Sequence, residues 1–284
     1  MTSKLNFTNG NHIPQSNTVS PMSLYQIVIL ALIQGATEFL PISSTGHLIL
    51  VPYIFQWLPQ GLELDVAMHV GTLFAVVLYF WKDILALLRG FFLILKGKKS
   101  FEGKMALNII LATIPAIIGG LILSTVGMDL LRTVTIVGWM SIIYGILLFI
   151  IDRKVSSTHS LDNMSWKKAF FIGCAQALAL IPGTSRSGAC MTMARLLGFS
   201  RVDSARFAFL LSIPAILGAA TLTGYKLQKA GESLLTQEII LGSIIAAISG
   251  LFAIRFMMVW LQKASFTPFV IYRLILGVFL LMMA

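Results

Sequence analysis

Apolar runs recur along this chain at lengths suited to crossing hydrocarbon, and polar islands break two of them. Helical segments are predicted at 24–40, 44–57, 64–81, 84–96, 104–124, 131–151, 166–181, 186–197, 202–224, 236–262 and 267–283. Lipid-spanning structures are helices or closed barrels, and unbroken apolar runs favour helices over ten-residue alternation. Residues 1–22 are polar and turn-rich and are expected to form a flexible tail. The apolar run behind them leads into Gln34 and Glu38 with no small-residue cleavage site, so they do not read as a secretory leader. Residues 23–284 read as one integral membrane domain.

The first island, from Gln34 to His47, holds a carboxylate, four hydroxyls and an imidazole between Ile27–Ile33 and Leu48–Val51. The second, Pro182-Gly183-Thr184-Ser185-Arg186-Ser187-Gly188, holds a guanidinium among hydroxyls. Hydrocarbon offers such groups no partners, so each must face protein or water, and an ionisable residue there is a functional candidate. Both islands share one punctuation: a Gln-led helix (Gln34, Gln176), a proline (Pro41, Pro182), then Ser/Thr and Gly opening a second helix. With one gap the two align in order. This is the pattern of an inverted repeat with discontinuous helices, its halves roughly 23–151 and 165–284.

Composition narrows the class. Of 284 residues, 57% are hydrophobic and 11% charged, with a mean hydropathy of +0.88. A soluble domain carries about 25% charged residues. The expected fold is therefore an all-α polytopic membrane protein. The net charge of +10 invites a nucleic-acid reading, but the basic residues lie in loops between apolar segments and no nucleic-acid partner is expected.

Lys82, Arg89, Lys96, Lys98, Lys99, Lys104, Arg153, Lys154, Lys167, Lys168, Arg195, Arg201, Arg206, Arg255 and Lys263 form one group of loops, expected to be cytoplasmic. The other group has Lys4, Arg132, Lys226 and Lys229. That segregation requires 24–40 with 44–57, and 166–181 with 186–197, to be re-entrant helical hairpins from opposite faces, alongside about six spanning helices. Cys174 and Cys190 lack metal-ligand spacing and read as small buried hydrophobes. Small-residue runs at Gly119-Gly120 and Ala246-Ala247 permit close helix contact, within a protomer or in a homodimer.

Each island's proline ends its first half-helix. Ser43, Ser44 and Thr45, and Thr184 and Ser185, then stand where an N-cap belongs. The new helix opens with unpaired amides and partial positive charge, an anion site, with Gly46, Gly183 and Gly188 allowing close backbone approach. Arg186 supplies a fork that matches phosphate oxygens. Glu38 fits a general base or acid, or a ligand for a divalent ion, against the rival of a protonated structural carboxyl. His47 shares a helix face with Ser44, and either could be the nucleophile. His69 and Asp65, four residues apart, read as a proton path or a satisfied polar pair. Arg206 and Arg273 read as structural, with a carboxylate or a lipid headgroup as a partner for Arg273.

The stretches Glu38–His47 and Pro182–Gly188, with Phe269-Val270-Ile271-Tyr272-Arg273, resemble the signature segments of the undecaprenyl-diphosphate phosphatase family, the bacitracin-resistance proteins called BacA or UppP. The resemblance covers nearly the whole chain beyond the tail. It implies hydrolysis of a C55 polyprenyl diphosphate to the monophosphate carrier lipid at the outer face of the bacterial plasma membrane. A divalent cation, Mg2+ or Ca2+, is implied to assist. It places Glu38, Ser44, His47 and Arg186 on the family's functional positions, with Ser43, Thr45, Ser185 and Ser187 beside them. Some members begin the first motif with a second glutamate where this chain has Gln34. Gln34 can orient water or donate to phosphate but cannot exchange a proton. The competing reading is a transporter or flippase for a polyprenyl phosphate, since inverted repeats with midplane sites are transporter features.

Overall fold

The computed structural model describes residues 22–58, 60–126, 131, 133–229 and 236–284. Residues 1–21 of the expected N-terminal tail, and Arg132, fall outside these. Among the described residues eleven α-helices follow one another: α1 (Leu24–Phe39), α2 (Ser44–Ile54), α3 (Leu62–Tyr79), α4 (Trp81–Leu95), α5 (Phe101–Val126), α6 (Val134–Lys154), α7 (Trp166–Leu178), α8 (Arg186–Leu196), α9 (Arg201–Lys229), α10 (Gln237–Trp260) and α11 (Thr267–Met283). Each predicted segment is a helix, with ends displaced by a few residues. Five of them, α3, α5, α6, α9 and α10, are long and apolar enough to cross a bilayer, while α1 and α11 are apolar but shorter. This is a multi-pass, all-α membrane protein. Large apolar side chains such as Phe74, Leu78, Ile117, Leu121 and Phe252 lie on its outside, where lipid is the solvent.

The helix contacts fix the direction of the chain. Along α1 and α10, Ile27 lies near Gly242, Ser249 donates to the Leu32 carbonyl at 2.8 Å, and Phe39 reaches Gly250. The two helices therefore run parallel. Leu64 near Gly242, Ser243 donating to the Ala67 carbonyl at 2.8 Å, and Ala75 near Gly250 make α3 parallel to α10 as well. Since α1 and α3 point the same way, α2 must carry the chain back between them. Close approach is possible because α1 has Gly35 at the crossing, where a Cβ would stand 2.5 Å from the Ala246 carbonyl oxygen. On the other side of the molecule α7 runs parallel to α5, with Gly173 against Ala112 and Ala177 and Leu180 against Gly119. The small-residue runs at Gly119 and Ala246 are thus used within the protomer.

The two hairpins open toward opposite ends of the bundle. The α7–α8 hairpin opens where α3, α6 and α10 end and α9 begins. The α1–α2 hairpin opens at the end where α3 and α10 start. Ion pairs hold the first of these ends together. Arg195, 2% exposed, spends its guanidinium on Asp152 Oδ1 (3.1 Å), Ser157 Oγ (2.9 Å) and the carbonyls of Phe199, Asp152 and Val155. Arg201 donates to the same Asp152 oxygen at 2.8 Å and the Phe266 amide to Oδ2 at 3.3 Å. Four helices, α6, α8, α9 and α11, are thus tied to one carboxylate. Arg206 pairs with Asp83 at the same end, so its structural reading holds. Cys174 and Cys190 are free, and Cys190 is buried.

Removing one member of a buried, hydrogen-bonded ion pair leaves the other charge uncompensated and costs about 3–5 kcal/mol, whereas exposed pairs contribute about 1 kcal/mol or less. Asp152→Ala should therefore lower the thermal unfolding midpoint in detergent far more than Arg201→Ala. Equal midpoints for the two variants would show that this cluster does not anchor the helix ends.

Candidate active site

The two breaks are built alike. Among the described residues only Ser43, Gln56 and Ser185 combine a side chain with a positive φ. Ser43 (φ 70°, ψ 94°) and Ser185 (φ 67°, ψ 111°) are the N-caps of α2 and α8, accepting the amides of Gly46 at 3.3 Å and Gly188 at 3.2 Å. Left-handed backbone at a residue other than glycine costs about 1–3 kcal/mol and persists only where neighbouring structure enforces it. A constant offset in numbering superposes Gln34 on Gln176, Pro41 on Gly183, Ser43 on Ser185 and Gly46 on Gly188. No gap is needed, because the prolines are not the equivalent residues.

Arg273 supplies the enforcement. Its side chain is fully buried on α11, and it donates to the Pro41 carbonyl at 3.3 Å and the Gly183 carbonyl at 3.0 Å. Those are equivalent positions in the two breaks. Two further donors go to Ser141 O (3.0 Å) and Met140 O (3.2 Å) on α6. The suggested carboxylate or headgroup partner is thus replaced by four backbone carbonyls, which a planar fork suits and a point charge does not. Ser187, buried, donates across the gap to the Leu40 carbonyl at 3.1 Å. It stitches the breaks together.

Stitched in this way, the breaks bring the two islands into contact. Glu38, 7% exposed, presents Oε1 to Arg186 Nη2 at 3.1 Å and Oε2 to Ser44 Oγ and Gln34 Nε2, both at 3.0 Å. Ser44 is the first residue of α2 and Arg186 the first of α8, so both helix N-termini, with their partial positive charge, lie beside this cluster. A hydroxyl donating to a carboxylate, next to a guanidinium, is the arrangement of an activated nucleophile beside an anion-stabilising group. At Glu38's equivalent position the other hairpin has Leu180, and at His47's it has Ala189.

His47 takes a different place from the one its spacing indicates. It makes no bond to Ser44: Nδ1 donates to the Ser43 carbonyl at 2.8 Å and Nε2 accepts the Tyr272 hydroxyl at 2.6 Å. Tyr272 is a site neighbour that the sequence reading passes over, although it stands polar within the apolar 267–283 segment. His69 bonds the Asp65 backbone carbonyl, and its free edge points to Glu38. Thr184 is buried with its hydroxyl unpartnered, and Thr45 is exposed. Gly183, at φ +91°, serves contact with α6: a Cβ there would come within 2.5 Å of the Val137 carbonyl oxygen. Gly188 packs against Arg273, where a Cβ would stand 3.0 Å from Nη1.

The expectation of a divalent cation on Glu38 does not fit the donors around it. Oε2 already faces Gln34, Ser44 and His69, and Oε1 takes Arg186. Among the described residues no three His, Cys, Asp or Glu side chains converge.

Comparison with known proteins places this geometry. The bacitracin resistance protein BacA family matches residues 27–279. An undecaprenyl-diphosphatase of Saccharophagus degradans is 49% identical over 256 residues, covering 90% of this chain and 96% of that protein. Undecaprenyl-diphosphatase 1 of Rhodospirillum rubrum is 45% identical over 270 residues, 93% of this chain and 96% of its own. The undecaprenyl-diphosphatase of Roseobacter denitrificans is 43% identical over 265 residues, 93% and 99% of the two chains.

Each hydrogen bond from a charged group contributes about 1.5–3 kcal/mol. Arg273→Lys keeps the charge and loses the fork, so its unfolding midpoint in detergent should fall well below that of Arg206→Lys, whose side chain is 42% exposed. A wild-type midpoint for Arg273→Lys would deny the bridge its holding role.

Proposed function

The chain belongs to the bacitracin resistance protein BacA family, and on that footing we propose that it hydrolyses undecaprenyl diphosphate to undecaprenyl phosphate and inorganic phosphate. Carrier lipid is thereby recycled for cell-wall synthesis, and bacitracin resistance follows from the same activity. The observation that carries this reading is the Ser44–Glu38–Arg186 chain of contacts at two helix N-termini.

In this reading the prenyl tail stays in lipid while the diphosphate lies across the two breaks. Arriving phosphate draws Arg186 away from Glu38, which leaves the carboxylate ready to accept a proton. Ser44 Oγ attacks the terminal phosphorus and gives its proton to Glu38 Oε2. The bridging P–O bond breaks, and the lipid monophosphate keeps the electron pair. Glu38 gives up that proton to solvent; water then attacks the phosphorus, its proton passing by way of Glu38 to Ser44 Oγ as inorganic phosphate leaves. Arg186 and the N-terminal amides neutralise charge on the transferring group, where most phosphoryl-transfer catalysis resides. His47, held by Ser43 and Tyr272, orients the turn carrying Ser44. No residue of this site would hold Mg2+ or Ca2+; a divalent cation accompanying the diphosphate would add charge neutralisation alone.

We read the correspondence of the two breaks as an inverted repeat of residues 23–151 and 165–284, each hairpin re-entering the membrane from its own face. The basic end is cytoplasmic by the positive-inside rule, so the α1–α2 hairpin opens outward and the site discharges phosphate to the periplasm. A carrier for the lipid phosphate is the second reading, favoured by hairpins that open at opposite ends.

Phosphate release from the C55 diphosphate in detergent separates the two, because no membrane remains to be crossed. Wild-type turnover is expected. Glu38→Gln and Arg186→Ala should each lose about 10²–10³-fold, the range for removing one electrostatic contact of the transition state. Near-normal release by either variant would defeat the assignment, and binding without turnover by the wild type would favour the carrier.

A further inference from the structure

Gln34 cannot exchange a proton, yet Glu38 does not lack a titratable neighbour. His69 lies on α3, and its Nδ1 donates to the Asp65 carbonyl at 2.7 Å. The proton on that nitrogen therefore stays in place whatever the charge on the ring, and Nε2 is the atom that gains or loses one. Nε2 stands 3.7 Å from Glu38 Oε2, within reach through one bridging water or a small ring rotation. With no proton between them, two lone pairs would face each other; with one proton, the contact is attractive. The contact is therefore placed to take up one proton from the side of Glu38.

Exposure points the same way. The His69 side chain is 38% exposed, on a helix apolar and long enough to cross a bilayer. An imidazole turned toward hydrocarbon would be costly, so its open side faces water. The remaining charged groups nearby are Arg186 on α8, across Glu38, and Asp65 one turn back on α3, whose Oδ1 takes Gln60. From α10, Ser243 and Gly250 meet α3; from α9, Arg206 is engaged with Asp83.

We propose that His69 is the proton relay of this site, acting through Glu38. The proton that leaves the attacking oxygen passes to Glu38 Oε2, then to His69 Nε2, and from there to water, while Nδ1–H remains on Asp65. The electron pair of the attacking oxygen forms the new bond to phosphorus as the leaving lipid monophosphate takes the pair from the broken one. His69 thus does from α3 what a second glutamate at position 34 would do from α1, since Gln34 and His69 address the same carboxylate oxygen. The inference rests on the phosphatase reading.

The test uses the full chain in detergent, with phosphate release followed across pH for the wild type, His69→Gln, His69→Ala, and the double variant Gln34→Glu/His69→Gln. Acid–base groups contribute about 10²–10⁴-fold when they act directly. A relay acting through Glu38 should cost about tenfold or more in His69→Gln, with a pH–rate curve of altered shape. Added imidazole should raise the rate of His69→Ala, and Gln34→Glu should restore His69→Gln. Wild-type rates in His69→Gln would overturn the relay. So would an equal loss at every pH with neither form of rescue, which is the signature of packing alone. If His69→Ala does not fold, as judged by its unfolding midpoint, His69→Gln and the double variant decide. Failure of the wild type to release phosphate would be a different result, ending the phosphatase reading and the relay with it.

Discussion

One guanidinium holds the two helix breaks of this protein together. Arg273 donates to Pro41 and Gly183, equivalent carbonyls in the two breaks, and to two further carbonyls on α6. A buried cation is tolerated only when its donors are satisfied, and here four backbone dipoles do that work. Two strained serine caps follow these carbonyls by two residues, so the fork acts where the backbone is least able to hold its own shape. Every functional contact across the gap, Arg186 to Glu38 and Ser187 to Leu40 included, presupposes that this distance is kept.

The two breaks are alike in backbone and unlike in chemistry. Both breaks have the same cap, the same glycine one turn into the helix and the same glutamine before the break. Only the first carries Glu38 and His47, with Leu180 and Ala189 opposite them; Arg186 occupies in the second the place of Ser44 in the first. Dividing acid and cation between hairpins means that neither is complete alone. The site forms only when the bundle is assembled.

Much of this was legible in the sequence, for physical reasons. Apolar runs of bilayer length define helices almost unaided, and polar groups within them have few places to go, so the islands announced themselves. What stayed hidden were distances between helices. Four-residue spacing shows His69 near Asp65 but cannot show its neighbour Glu38 on α1. The same kind of spacing points His47 to Ser44, while its partner is Tyr272, more than two hundred residues away. Arg273 looked like a charge in search of a carboxylate because backbone carbonyls freed by a helix break leave no trace in composition. The proline alignment misled by one position, since the strained serine, and not the residue that stops the helix, marks equivalence.

The carboxylate of Asp152 ties α6, α8, α9 and α11 at the basic end. A rocking motion that exposed the centre to that side would have to prise these helices apart and strand Arg195 without its counter-charge. The molecule is therefore latched on one side, which suits a reaction vessel with a single mouth better than a turnstile.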